Sequence, residues 1–224
     1  MIVKIPRVFT PNATSDLLVK TTLKTIKKRR IDLLDLGCGT GFVGLTVAIN
    51  SKIKNKYYFS DVSSKAISLC KKNAKKNKIK IEAKSGEIYK PWKGKKFDLI
   101  VESISAIAKK VADVSPWYTN NIPCACGEDG TILVKRVLNE SKKYLKKSGK
   151  LIFPIVSLSD KNKILKIAKK NFKTVKLVDT KDWPLPKSMY KNSLLLENLK
   201  KKRIINFKKK FGLILYTSDI YIAY

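Results

Sequence analysis

Apolar residues along this chain gather in short runs, separated by lysine-rich stretches with helical spacing. Ile31, Leu33, Leu34 and Leu36 predict a buried strand, and Gly37, Gly39 and Gly41 predict a tight loop that opens a helix. Gly44 would let that helix lie close to the sheet. Further runs predict strands over 57–59, ending at Ser60-Asp61, and over 80–83, 97–101, 151–156 and 174–178, with the last strand or strands in 212–224. Between them lie amphipathic stretches. A helix from about Ser15, capped by Asn12 or Thr14, has Leu17, Leu18, Leu23 and Ile26 on one side. Residues 65–76 turn Ala66, Ile67, Leu69, Cys70 and Ala74 inward and most lysines outward, and helices over 132–145 and after Asp160 follow the same rule. Strand and helix alternate throughout, which predicts a doubly wound, mostly parallel α/β sheet. Two stretches break the rhythm. Residues 107–130 form a less regular insert, and residues 180–210 are long for a link, holding Trp183-Pro184-Leu185-Pro186, a helix near 192–201 and the basic run Lys200-Lys201-Lys202-Arg203.

The length of 224 residues suits a single domain, 1–224, with 1–30 as an N-terminal preface and 180–210 as an appendage between the last strands. No apolar run approaches the roughly 20 residues needed to cross a bilayer, and the N-terminus lacks the apolar core of a signal peptide. A cytoplasmic protein is expected. Cys38, Cys70, Cys124 and Cys126 fit no zinc spacing and are expected as reduced thiols, with no metal site. The chain has no histidine, which excludes a Ser-His or Cys-His dyad, an imidazole base and an imidazole-bound metal. Its net charge of +32 points either to a polyanion such as RNA or to a lysine bias on solvated faces, since the 49 basic residues include only five arginines and are spread over nearly every helix.

The run D-L-G-C-G-T-G at 35–41 resembles the first motif of class I S-adenosylmethionine-dependent methyltransferases. That resemblance implies that Gly37, Cys38, Gly39 and Gly41 wrap the methionine part of the cofactor and that Asp35 sits near its amino group. Asp61, 20 residues past Gly41, would then take the ribose hydroxyls, or else cap the following helix. Glu87 lies near the adenine amino group in the resembling pattern, or is a surface-turn residue. V-F-T-P-N-A-T-S-D-L-L-V at 8–19 is similar to the segment before the first strand in the small-methyltransferase group, which includes release-factor glutamine methyltransferases and RNA-base methyltransferases. There it closes over the cofactor; here an ordinary capping helix is the other reading. G-E-D-G-T at 127–131 resembles a turn of the same group, and the resemblance adds a seventh, antiparallel strand. It covers roughly 5–180.

Gly39, Gly41 and Gly44 also satisfy G-x-G-x-x-G, the dinucleotide fingerprint. Asp35 argues against that reading, because a carboxylate beside the loop repels a diphosphate, whereas S-adenosylmethionine brings a cationic amine and a sulfonium. The small-methyltransferase group commonly carries N-P-P-Y after the fourth strand, and this register reads Ser103-Ile104-Ser105-Ala106. The clamp for a planar nitrogen is missing, so transfer to glutamine or adenine does not carry over. Glu102, Ser103 and Ser105 remain as candidate catalytic residues, and a scaffold without catalysis is the alternative. Trp117 and Tyr118 are candidates to stack on a planar substrate, or to plug the core.

The expected function is methyl transfer from S-adenosylmethionine to a nitrogen or oxygen of a protein or RNA acceptor, including a ribosome-associated one. Catalysis would be mostly positional. An NAD-dependent oxidoreductase and a non-catalytic RNA-binding module are the alternatives. No membrane partner is expected, and no oligomeric state follows from the sequence.

Overall fold

The structure is a computed structural model that describes residues 11–26, 30–104, 106–118, 124 and 126–224. The buried run ahead of the glycines is strand β1 (Asp32–Leu36), and helix α2 (Phe42–Asn50) follows the loop. β2 (Lys56–Asp61), α3 (Ser64–Lys76), β3 (Ile81–Ser85) and β4 (Phe97–Glu102) continue the alternation. After α4 (Lys109–Val114) come α5 (Ile132–Tyr144), β5 (Leu145–Val156), α6 (Lys161–Asn171), β6 (Val175–Pro184), α7 (Ser193–Lys201), β7 (Lys208–Lys210) and β8 (Leu213–Ala223). One eight-stranded sheet results, in the order β3-β2-β1-β4-β5-β8-β6, with the short β7 on β8. β1 to β5 are parallel, and β8 runs antiparallel between β5 and β6. The expected doubly wound sheet with an antiparallel C-terminal strand is therefore present, with β7 as a small addition.

Side chains alternate across the sheet, so each strand feeds two cores. Leu34, Ile100, Leu151 and Phe153 face α5 and α6, while Leu33, Leu99, Val101 and Ile152 face the layer that holds α2, α3 and the N-terminal helix α1 (Ala13–Thr25). α1 starts at Ala13 because Asn12 caps it: its side chain accepts from the Thr14 and Ser15 amides. Thr14 is thereby released to meet Ser218 of β8, with their hydroxyls 2.7 Å apart. Residues 1–10, which carry the start of the motif at 8–19, lie outside the described residues.

Two expectations change. The strand expected over 151–156 begins earlier, at Leu145, and takes in Lys147-Ser148-Gly149-Lys150. Leu145 pairs with Phe97 and Lys150 already pairs with Leu99, so the residues between them bulge out. β6 runs on to Pro184 rather than stopping at 178, because β8 is long enough to pair with it as far as Leu215.

The two irregular stretches share one body. Ile107, Val111, Leu185, Met189, Leu199 and Phe207 belong to a third hydrophobic cluster that also takes in Ile214 and Tyr216 of β8. The described residues of the insert and the appendage thus form a cap at the end of the sheet where β5 stops.

Gly44 confirms the close approach of α2. A Cβ there would lie 2.5 Å from the Phe59 ring and 3.0 Å from Oδ2 of Asp35. Both neighbours are fully buried, so neither can give way. Gly44→Ala is expected to cost about 1 to 3 kcal/mol, the usual price of overpacking a filled core, measured by denaturant unfolding; wild-type stability would refute the close contact.

Candidate functional site

A cavity of about 390 Å³ lies along the C-terminal ends of β1, β2, β4 and β5, where ligands of open α/β sheets bind. The glycine loop forms its floor. Gly37 and Cys38 donate their amides to the Ser60 carbonyl at 2.8 and 3.0 Å, which docks the loop on the end of β2. Gly39 has φ +52°, and a Cβ built there meets no atom within 4 Å, although the residue lines the cavity. The loop therefore presents bare backbone to open space. Cys38 also lines the cavity; it is buried, and burial pushes its thiol pKa up.

Asp61 closes the adjoining wall. Its Oδ2 accepts the Gly39 amide and its Oδ1 the Ser63 amide, both at 2.9 Å. Ser63, not Asp61, caps α3, by accepting the Ala66 amide. Burial raises the Asp61 pKa despite those two bonds. A carboxylate accepts roughly four hydrogen bonds, so capacity remains on both oxygens.

Asp35 does not line the cavity. It is fully buried beneath the loop, where Oδ2 accepts the Gly44 amide at 2.8 Å and Oδ1 the Ser103 hydroxyl at 3.2 Å. Burial pushes its pKa up to about 7. The residue holds α2 and the end of β4 together. Glu102 is likewise buried and absent from the lining: Oε1 accepts the Ile104 amide at 2.9 Å, and Oε2 has no partner among the described residues. Burial raises its pKa to about 8. Of the three catalytic candidates, Ser103 alone is seen in the lining, since Ser105 lies outside the described residues.

Glu87 lies on the cavity rim, with its side chain 40% exposed. Arg136 of α5, with Lys90 beside it, hydrogen-bonds the carboxyl and holds its pKa down at about 2. The ion pair fixes this carboxylate in the bend that follows β3. Trp117 and Tyr118 are half-buried in the opposite wall, and Trp117 meets Tyr216 edge-on at 5.5 Å between ring centres. Both side chains line the cavity and also pack against the third hydrophobic cluster.

Several lining residues escaped the sequence. Thr40 and Ser60 carry buried hydroxyls without a hydrogen-bond partner among the described residues. Thr40 stands inside the glycine motif and could have been chosen from it. Tyr216 and the Arg136 partner of Glu87 come from distant segments and left no local signal. Among the described residues there is no cluster of His, Cys, Asp or Glu that could hold a metal, and no helix long and apolar enough to cross a membrane.

The raised carboxyls set a pH dependence. Folded Asp35 and Glu102 keep protons that the unfolded chain has released, from about pH 4 up to about pH 7 and 8. Stability should therefore fall as pH rises through that window, by on the order of a few kcal/mol, and level off above it. Glu87, Asp129, Asp182 and Glu197 are shifted down and act only at lower pH, and no histidine intervenes. Melting between pH 5 and 8.5 checks this: Glu102→Gln should flatten the slope, and a wild-type slope in that variant would contradict the assignment.

The profile of the family described as methyltransferase small domain matches residues 2–103. A putative protein N5-glutamine methyltransferase of Methanocaldococcus jannaschii is 30% identical over 144 residues, covering 64% of this chain and 70% of that protein. A release factor glutamine methyltransferase of Borreliella burgdorferi is 30% identical over 155 residues, covering 67% of this chain and 52% of that one. This chain thus spans about half the length of that relative. Among solved structures, a ribosomal protein L11 methylase from Lactobacillus delbrueckii superposes with a TM-score of 0.55 at 16% identity, covering 97% of this chain and 83% of that one.

Proposed function

We infer the function from one premise: the chain belongs to the methyltransferase small-domain family of class I S-adenosylmethionine-dependent methyltransferases. We propose that it transfers a methyl group from S-adenosylmethionine to a nitrogen or oxygen of a protein or RNA acceptor. The observation that carries this reading is the juxtaposition of bare Gly39 with Asp61 and with the unpartnered hydroxyls of Thr40 and Ser60 around one cavity. Buried polar groups without partners are costly unless a ligand satisfies them. Asp61 and these hydroxyls suit the hydroxyls of a nucleoside, and the bare backbone at Gly39 leaves room for its tail. The site suits a dinucleotide less well, because Asp35 already occupies the Gly44 amide in the first turn of α2, where a diphosphate would bind.

S-adenosylmethionine supplies an activated methyl on a sulfonium, so the protein's task is mainly position. Asp61 would accept the ribose hydroxyls on its spare lone pairs, and Glu87, fixed by Arg136, would face the adenine end. The glycine loop would hold the methionine portion with backbone groups. Ser103 stands at the first position of the missing N-P-P-Y clamp and would accept from or donate to the methyl acceptor. Glu102 stays out of the cavity and acts through the Ile104 amide, as a positioning residue. Trp117 and Tyr118 would form the acceptor-side wall. Aligning acceptor and methyl is worth several kcal/mol of barrier without an acid or base.

Incubating the protein with methyl-labelled S-adenosylmethionine and fractionated extract of its source organism tests this. Label should enter protein or RNA. Donor bound with no label transferred would mean a scaffold without catalysis.

A further inference from the structure

The cap ends in a hairpin whose tip breaks a local rule. β7 and β8 pair through Lys210 and Leu213, so Phe211 and Gly212 form a two-residue turn with φ of +50° and +71°. Such a turn favours Asn-Gly or Asp-Gly, because both central residues are left-handed. Here a bulky aromatic stands in the first place and is 89% exposed, more than any other large hydrophobic among the described residues. Its ring contacts only the Lys210 ammonium, 5.1 Å from the centroid, in the aromatic and ring contacts of the described residues. Nothing in the packing repays the unfavourable backbone. An exposed aromatic face is what single-stranded bases stack on.

The surroundings are cationic. Lys208 and Lys209 are tied to Asp182 and Glu197, the second of which docks α7 against β7. Lys201, Lys202 and Arg203 at the end of α7, together with Lys210, are exposed and form no ion pair among the described residues. The hairpin also points the right way. β8 is antiparallel to β5, and its residues before Ser218 continue past Val156, the end of β5, on the side where the cavity opens. Tyr216, a few residues from the tip, lines that cavity.

We propose that the hairpin tip and the end of α7 form a docking surface for single-stranded RNA, with Phe211 stacking on a base and Lys201, Lys202, Arg203 and Lys210 contacting phosphates. A strand held there would reach the cavity past Tyr216 and Trp117. That the RNA is also the methyl acceptor rests on the transferase reading above.

Fluorescence anisotropy with a labelled single-stranded oligouridylate, without methyl donor, tests the surface. Phe211→Asn suits the turn, so melting should be unchanged or higher, while affinity drops about tenfold, the effect of one lost stack. Replacing Lys201, Lys202, Arg203 and Lys210 with serine should weaken binding and flatten its salt dependence by about 0.7 in log–log slope per lost contact. Replacing Lys71, Lys72, Lys75 and Lys76 on α3 should do much less. Wild-type affinity in Phe211→Asn, equal losses from the two lysine groups, or preference for duplex RNA would each overturn the proposal. Donor affinity, measured separately by calorimetry, keeps the two readings apart: donor binding without oligonucleotide binding sinks the docking surface alone, and the converse sinks the transferase reading alone.

Discussion

Gly39→Val should reduce affinity for S-adenosylmethionine by at least about 100-fold. The glycine has φ +52° and lines the cavity, and a Cβ there enters space with no atom within 4 Å. A β-branched side chain would fill the volume in which the ligand meets the loop, and loss of that fit at roughly 3 kcal/mol gives the stated factor. Valine also dislikes a left-handed backbone, so the loop could be disturbed for that reason alone. Gly94→Val separates the two effects. Gly94 has φ +78° and open space around its Cβ, but it is not part of the cavity. Both variants should lose similar stability, and only Gly39→Val should lose the ligand. Equal affinities in the two would show that the loop does not face the donor.

Asp61→Ala should weaken donor binding by about 1.5 to 3 kcal/mol, the range for hydrogen bonds to a charged group, or roughly 10- to 150-fold. The carboxylate also ties the Gly39 and Ser63 amides, so the variant should melt somewhat lower. Asp61→Asn distinguishes support from contact. It keeps one acceptor oxygen for one of the two backbone amides and sets its NH2 against the other, so it should regain part of the stability and part of the affinity. Calorimetry and thermal melting on the three proteins check this. Unchanged affinity in Asp61→Ala would remove the residue from the site.

The parts of this site that a reader of the sequence could find are those whose chemistry is local. Asp35 to Gly41 is a contiguous strand-loop motif, and Asp61 follows from a strand end at a set distance. Even there, local pattern gave the residue and not its surroundings. Asp35 is expected beside the amino group of the cofactor and Glu102 in catalysis, yet both are buried behind the wall and bond the Gly44 and Ile104 amides. Only the three-dimensional packing decides which way such a side chain turns. The cap was legible as two irregular stretches and not as one body, because its cluster joins Ile107 to Leu199 and Tyr216 over long sequence distances. The β5 bulge was invisible for a similar reason. Lys-Ser-Gly-Lys has the composition of a turn, and its pairing with β4 on both sides keeps it within the strand.

The residues Ser103-Ile104-Ser105-Ala106 that follow β4 give the acceptor question its shape. With Ser103 in the first position, the wall offers a hydroxyl that is itself tethered to Asp35 in place of an amide. A glutamine or adenine nitrogen would find one short hydrogen-bonding group there, rather than a carboxamide and two prolines. The aromatic side of the cavity, Trp117 against Tyr216, still suits a planar group.

Isothermal titration calorimetry with S-adenosylmethionine, S-adenosylhomocysteine and NAD tests the central claim most directly. The first two should bind the wild-type protein one to one, with the signal lost in Gly39→Val and kept in Gly94→Val. Binding of NAD without either sulfur nucleoside would contradict it.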